Sequence, residues 1–232
     1  MLSYYLISLA LILLALAIFA FRFEGKKPRT REVVVLAVMT TLAVCGRTAF
    51  FMVPQFKPMA ALVIITGVSL GAESGFLVGT LSAFVSNFIF GQGPWTPFQM
   101  LGFGIIGLLA GLIFYRKQAS AKTNRESIAL HRRAQRWCIF AICAFGGLAT
   151  FCIYGPIADM AALIMFSQTI NKESALLILA SGVPFNAIHA ISTVIFLFFL
   201  TQPMMEKLER VKVKYALLQS TSSIFVQQLK KN

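Results

Sequence analysis

The chain is 232 residues long, 58% apolar and only 12% charged. A soluble domain carries about a quarter charged residues, so a soluble enzyme, a disordered tail protein and a disulfide scaffold are excluded together. At roughly 20 residues per crossing, the length accommodates about seven membrane spans and leaves no room for a soluble domain. The net charge of +13 would point to nucleic acid in a soluble protein, but the location of the charges decides otherwise. Eighteen of the 21 basic residues fall in three blocks, Arg22 to Arg31, Arg116 to Arg136 and Lys207 to Lys231. The blocks alternate with apolar stretches, the pattern of cytoplasmic loops, with attraction to anionic lipid headgroups as a by-product. They lack the regular aromatic interleaving of a base-stacking platform, so the bilayer, not nucleic acid, is the expected partner.

Residues 2–21 carry no charge and run into the basic stretch RFEGKKPRTR. No basic segment precedes them and a strongly basic flank follows, which predicts an uncleaved helix with its N-terminus outside rather than a signal peptide. A second helix starts near Glu32 and ends at Pro54. Between Lys57 and Glu73 lie only 15 uncharged residues, which predicts a short helix of about 22 Å and a thin span. From Ser74 to Tyr115 there are 42 consecutive uncharged residues, twice the need of one crossing. The sequence GQGPWTP, Gly91 to Pro97, breaks them into helices near 74–90 and 98–115. A basic cytoplasmic loop follows, then a helix over 137–166 kinked at Gly155-Pro156, an outer loop at Ser167 to Ser174, and a last helix over 176–201. This gives seven spans with the N-terminus outside and the C-terminus in the cytoplasm. The domains are 1–30 as an extra helix and linker, 31–202 as a six-helix core, and 203–232 as a basic cytoplasmic tail.

Small residues support close helix contacts. Gly67, Gly71, Gly75, Gly79 and Ala83 recur every four residues, and Gly107 and Gly111 repeat the spacing, as in tightly packed membrane helices. Ala37, Thr41, Cys45 and Ala49 form a similar stripe on the second helix, open either to internal packing or to another protein. The four cysteines, Cys45, Cys138, Cys143 and Cys152, sit in apolar segments without CxxC spacing and read as small hydrophobes.

Ionisable groups inside a span cost several kcal/mol unless paired or facing water. Three stand out: Arg47, Asp159 and His189. Counting from the helix ends puts all three roughly 10–15 Å below the outer surface, on three different helices. Two arrangements fit. Either they line one outward-opening polar site, or Arg47 and Asp159 form an ion pair with His189 as a core histidine. Asn87, Gln92, Trp95, Gln99, Tyr154 and Asn186 lie near the same level, with Phe50, Phe51, Phe56 and Lys57 toward the mouth. Rings with a few hydrogen-bonding groups are the usual make-up of a small-molecule pocket. Gly67-Val68-Ser69-Leu70-Gly71 matches the G-x-S-x-G of hydrolases, but Ser69 belongs near the inner end of its helix, far from Asp159 and His189, without the strand–turn–helix context. No catalytic residue or resident metal or cofactor is therefore expected.

Three stretches, PQFKPMAALVIITGVSLG, GFLVGTLSAFVSNFIFGQGPWTPFQMLGFGIIGLLAG and SGVPFNAIHAISTVIFLFF, resemble the substrate-binding (S) component of energy-coupling factor (ECF) vitamin transporters. The GQGPWTPFQM turn and the PFNxIHAxST helix are the most specific pieces, and the likeness covers about residues 31–202. The resemblance implies an all-α integral membrane protein, a six-helix core plus one extra N-terminal helix, in the bacterial cell membrane. It implies capture of a vitamin from outside, docking onto a transmembrane coupling subunit with two ABC-type ATPases that use the ATP, and release inward. The docking positions it implies are Ala37 and Thr41, with Cys45 continuing the stripe, although Thr41 stands where the family has a second Ala. The loops it implies as closing over substrate are Pro54 to Pro58, Gly91 to Pro97 and Ser167 to Ser174. The likeness is to the cobalamin type, with a queuosine precursor or another vitamin as the alternative cargo. His189 would then either approach cobalt or hydrogen-bond Asp159 or Asn186. On the residues alone, a stand-alone transporter with Asp159 as proton carrier remains open.

Overall fold

The computed structural model describes residues 30–115, 128–166 and 171–215, together with Ala10, Leu14 and Ala17. Seven helical segments are α1 (Thr30–Ala49), α2 (Met59–Leu70), α3 (Ala72–Phe90), α4 (Thr96–Ala110), α5 (Ile128–Ala149), α6 (Gly155–Phe166) and α7 (Lys172–Tyr215). Gly111–Tyr115 extends α4 and Thr150–Tyr154 joins α5 to α6, each as one π-helical turn. Among the described residues there is no strand. Among the described residues, five continuous stretches are long and apolar enough to cross a bilayer: Thr30–Ala49, Ala72–Phe90, Thr96–Tyr115, Trp137–Met165 and Lys172–Tyr215. The chain is an all-α membrane protein. The helix expected over 2–21 lies outside the described residues apart from three positions.

The short α2 is enclosed by the other helices. All twelve of its residues are buried, and it packs against α1, α3, α4 and α7. A helix surrounded by protein has no need to match the bilayer thickness. Its length is set by its neighbours, and it is the core of the molecule. Val34, Val38 and Leu42 on α1, Phe84 and Phe88 on α3, and Phe198 and Phe199 on α7 are exposed. They form an apolar outer surface suited to lipid.

Glycine makes that core possible. At Gly71 the backbone takes φ 102° and turns α2 into α3 with no other linking residue, a conformation that a Cβ resists. A Cβ on Gly67 or Gly75 would run into the Gly107 carbonyl, and one on Gly111 would run into Ala72. Three helices therefore meet backbone to backbone, and the four-residue spacing serves internal packing. The break at Gly91 to Pro97 is where the sequence places it, with φ 97° at Gly91 and Pro97 in the first turn of α4.

Two helix ends differ from the sequence reading. The kink ahead of Gly155-Pro156 is a π-helical turn, a common accommodation for a proline that cannot donate its backbone hydrogen bond. The last helix does not stop at 201. It begins at Lys172 and continues through Pro203 to Tyr215, some 66 Å at 1.5 Å per residue, twice what a crossing needs. Leu208 on this extension is buried, Lys212 Nζ lies 5.3 Å from the Tyr115 ring centre, and Lys212 also bonds Glu209 at 2.9 Å. Packing against the end of α4 holds the first part of the expected tail as helix.

Candidate functional site

At the end of the bundle where α1, α3 and α4 meet, side chains replace glycines. Arg47, in the last turn of α1, donates both hydrogens of Nη1, one to Ser86 Oγ and one to Asn87 Oδ1 at 2.9 Å. Asn87 is fully buried and uses its amide nitrogen twice, donating to Thr96 Oγ1 and to Gln99 Oε1, each at 2.9 Å. The Thr96 hydroxyl donates to Gln92 Oε1 at 3.0 Å and accepts from the Gly93 backbone N–H at 3.3 Å. Gln92 Nε2 returns to the Phe84 carbonyl at 3.0 Å. One amide thus ties the α1 cation to the Gly91–Trp95 turn and to the first turn of α4. Trp95 is half-buried over Gly93, where a Cβ would meet its ring.

A second cation joins the first. Gln55 takes φ 57°, a left-handed position that costs an ordinary residue about 1–2 kcal/mol, and the loop it shapes returns to α7 at Lys57. There the Lys57 N–H donates to Ser192 Oγ at 2.9 Å, and the Ser192 hydroxyl donates back to the Lys57 carbonyl at 3.3 Å. With its backbone clamped, Lys57 places Nζ 5.2 Å from the centre of the Phe90 ring, and Arg47 Cζ lies 4.5 Å from the same centre. Burial and the Arg47 charge push the Lys57 ammonium below its ordinary pKa. Among the described residues, no carboxylate pairs with either cation. Phe51, largely exposed, packs its ring 5.4 Å from Phe90, and Phe50, Phe56 and Phe196 form a neighbouring cluster.

His189 is buried, 4.9 Å from Tyr154 and 6.0 Å from Phe103 by ring centres, within electrostatic reach of Lys57 and Arg47. Tyr154 is buried too, 4.3 Å from Phe103. The expected hydrogen bond of His189 to Asp159 or Asn186 is not made. Asn186 donates instead to Asp159 Oδ2 at 2.8 Å, and a Cβ on Gly182 would strike the Asp159 carboxylate. Nor does Arg47 pair with Asp159: its Nη1 hydrogens go to Ser86 and Asn87, and Asp159 accepts from Asn186. The structure therefore groups Arg47, Lys57, Asn87, Gln92 and Gln99 around Phe90, sets Tyr154 and His189 beside them, and leaves Asp159 and Asn186 as a separate pair. Ser69 is buried mid-core without a hydrogen-bond partner. On α1, Ala37, Thr41 and Cys45 are all exposed.

Ser86, Phe90, Thr96 and Ser192 escape the sequence reading. Hydroxyls and phenylalanines are ordinary in membrane helices, and the local signals were that Ser86 adjoins Asn87, Thr96 lies in the GQGPWTP turn and Ser192 lies in the PFNxIHAxST stretch.

A polytopic helical protein with a buried polar cluster at one end of a glycine-packed core is the class defined so far. The profile of the family described as ECF-type riboflavin transporter, S component, matches residues 27–206, and the chain belongs to that family, one of transporter components and not of enzymes. It is also similar to UPF0397 proteins of Vibrio atlanticus, 36% identical over 87 residues, and of Aliivibrio fischeri, 34% identical over 87 residues. Those matches cover 35% of this chain and 47% of each relative, so the chain spans about half the length of the curated relatives it matches. No solved structure matches.

Proposed function

We propose that the chain is the high-affinity substrate-binding subunit of an ECF-type transporter, capturing a vitamin-class micronutrient from outside the cell at the Arg47–Lys57–Phe90 cluster. The observation that carries this reading is the convergence of two cations and a fixed amide network on one ring, in a family of S components. Asn87, with every hydrogen-bonding group engaged, acts as a positioning residue that aims Arg47. Phe51, Trp95 and Tyr154 supply ring surface, and Gln92 and Gln99 hold the turn over the site. His189, stacked among rings, shapes the floor.

The cargo most consistent with one ring flanked by cations is a flat heteroaromatic of the flavin kind, as in the family's description. The corrinoid favoured by the sequence likeness needs a broader recognition surface and stands as the competitor in the same panel. The exposed stripe Ala37, Thr41 and Cys45 is the proposed docking face for a transmembrane coupling subunit, with two ABC-type ATPases hydrolysing ATP. The basic blocks favour the cytoplasm for the C-terminus, so the polar cluster faces outward. In proteoliposomes the chain alone binds its vitamin but transports none. Uptake requires the coupling subunit, the ATPases and ATP, and is abolished by Ala37→Trp with binding intact. Uptake by the chain alone under a proton gradient would contradict this reading in favour of Asp159-coupled transport.

A further inference from the structure

Among the described residues, neither cation of the site pairs with a carboxylate. An unneutralised charge near the membrane interior costs several kcal/mol, and here two like charges are held over one ring. The Arg47 guanidinium and the Lys57 backbone are both held in place. Arg47 is fixed by Ser86 and Asn87, and the backbone of Lys57 is clamped by Ser192.

The guanidinium also has a direction. It carries five N–H donors, and the two on Nη1 are taken by Ser86 and Asn87. No described residue accepts from Nη2 or Nε. That edge presents the parallel pair of donors that matches two oxygens of a carboxylate or phosphate. A neutral ligand would leave the pair of charges uncompensated, whereas an anion neutralises them and uses the unengaged fork.

Resting on the capture reading above, we propose that the ligand of this site carries an anionic group, a carboxylate or a phosphate monoester, seated on the Nε/Nη2 edge of Arg47 and on Lys57 Nζ, next to the ring that Phe90 and its neighbours hold. The substrate is an anionic form of a ring-bearing micronutrient, and its charge is a specificity determinant.

Charge-matched pairs test this on the full chain in nanodiscs, stripped of co-purified ligand: riboflavin against its 5′-phosphate, nicotinamide against nicotinate, and biotin amide against biotin. For the scaffold that binds, the anionic member binds at least about tenfold more tightly, as expected of a charge-assisted pair. Lys57→Gln erases most of that ratio, weakening the anionic member far more than the neutral one. Arg47→Lys, which keeps the charge but removes the fork, also lowers the ratio. A neutral member that binds as tightly as its anionic partner overturns the charge inference and leaves the capture reading standing. Absence of binding by every pair with cobalamin bound overturns the charge inference and leaves the capture reading standing, and absence of binding by cobalamin as well overturns both. Which scaffold wins distinguishes a carboxylate from a phosphate source.

Discussion

Over Gly75, Gly79 and Ala83, α3 shows its neighbours almost no side chain, and the backbone of α4 closes against it. One turn further on, the same helix shows Ser86 and Asn87, and the contacts change from backbone packing to a chain of hydrogen bonds reaching α1 and the start of α4. Dispersion at very short range makes the first region rigid and indifferent to water. The second region depends on partners for every buried polar atom, because an unsatisfied one costs about 1–3 kcal/mol. A stiff base and a polar rim on one helix let the rim hold a geometry that loops alone could not keep.

The comparison breaks most dramatically at the base. Gly107→Val forces a side chain against the Gly75 carbonyl and Val63, with no flexible neighbour to yield on the backbone side. It should destabilise the protein by about 3 kcal/mol or more, read as a lowered melting temperature and loss of the monodisperse peak in detergent, with no rescue by ligand. A rim substitution should behave differently. Asn87→Leu removes one of the two acceptors of Arg47 Nη1 and the amide donor to Thr96 and Gln99, so ligand affinity should fall at least about tenfold while the helical content is retained. Equal loss of fold in both variants would erase the distinction between base and rim.

Two smaller effects sharpen it. Lys57 titrates below the ordinary lysine value of 10.5 because of burial and the Arg47 charge. An anion prefers the charged ammonium, so once the ligand itself is ionised its affinity is full at neutral pH and falls as pH rises through that lowered pKa. Lys57→Arg should abolish this alkaline limb, as followed by titration calorimetry from neutral pH into mild alkali. Asp159→Asn keeps an acceptor for Asn186 and lies outside the Arg47 cluster, so affinity should stay within about threefold of the parent.

The sequence carried the membrane class, the break at Gly91 to Pro97 and the family likeness, because each rests on local composition or on a short motif. It also brought Arg47, Asn87, Gln92 and Gln99 to attention, since polar groups are conspicuous in an apolar chain. It could not tell that α2 is wrapped in protein, since a thin span and a buried helix read alike. Depth alone put Arg47, Asp159 and His189 at one level and left a shared site and an Arg47–Asp159 pair both open. Depth counts residues along a helix, whereas contact depends on which way each helix faces, and that is decided by packing between segments distant in sequence. Ser192 clamping Lys57 from 135 positions away is of the same kind. The last helix reads as ending at 201, yet it continues through Pro203 to Tyr215, where Leu208 is buried and Lys212 lies against Tyr115.

The most direct test of capture at the Arg47 cluster is calorimetry of the ligand-stripped chain against a vitamin panel that includes riboflavin, its phosphate and cobalamin, run in parallel on Arg47→Ala and Trp95→Ala. Tight one-to-one binding of one compound, weakened in both variants at unchanged melting temperature, is the predicted result. Binding that both variants retain in full would place the site elsewhere in the protein and contradict the account.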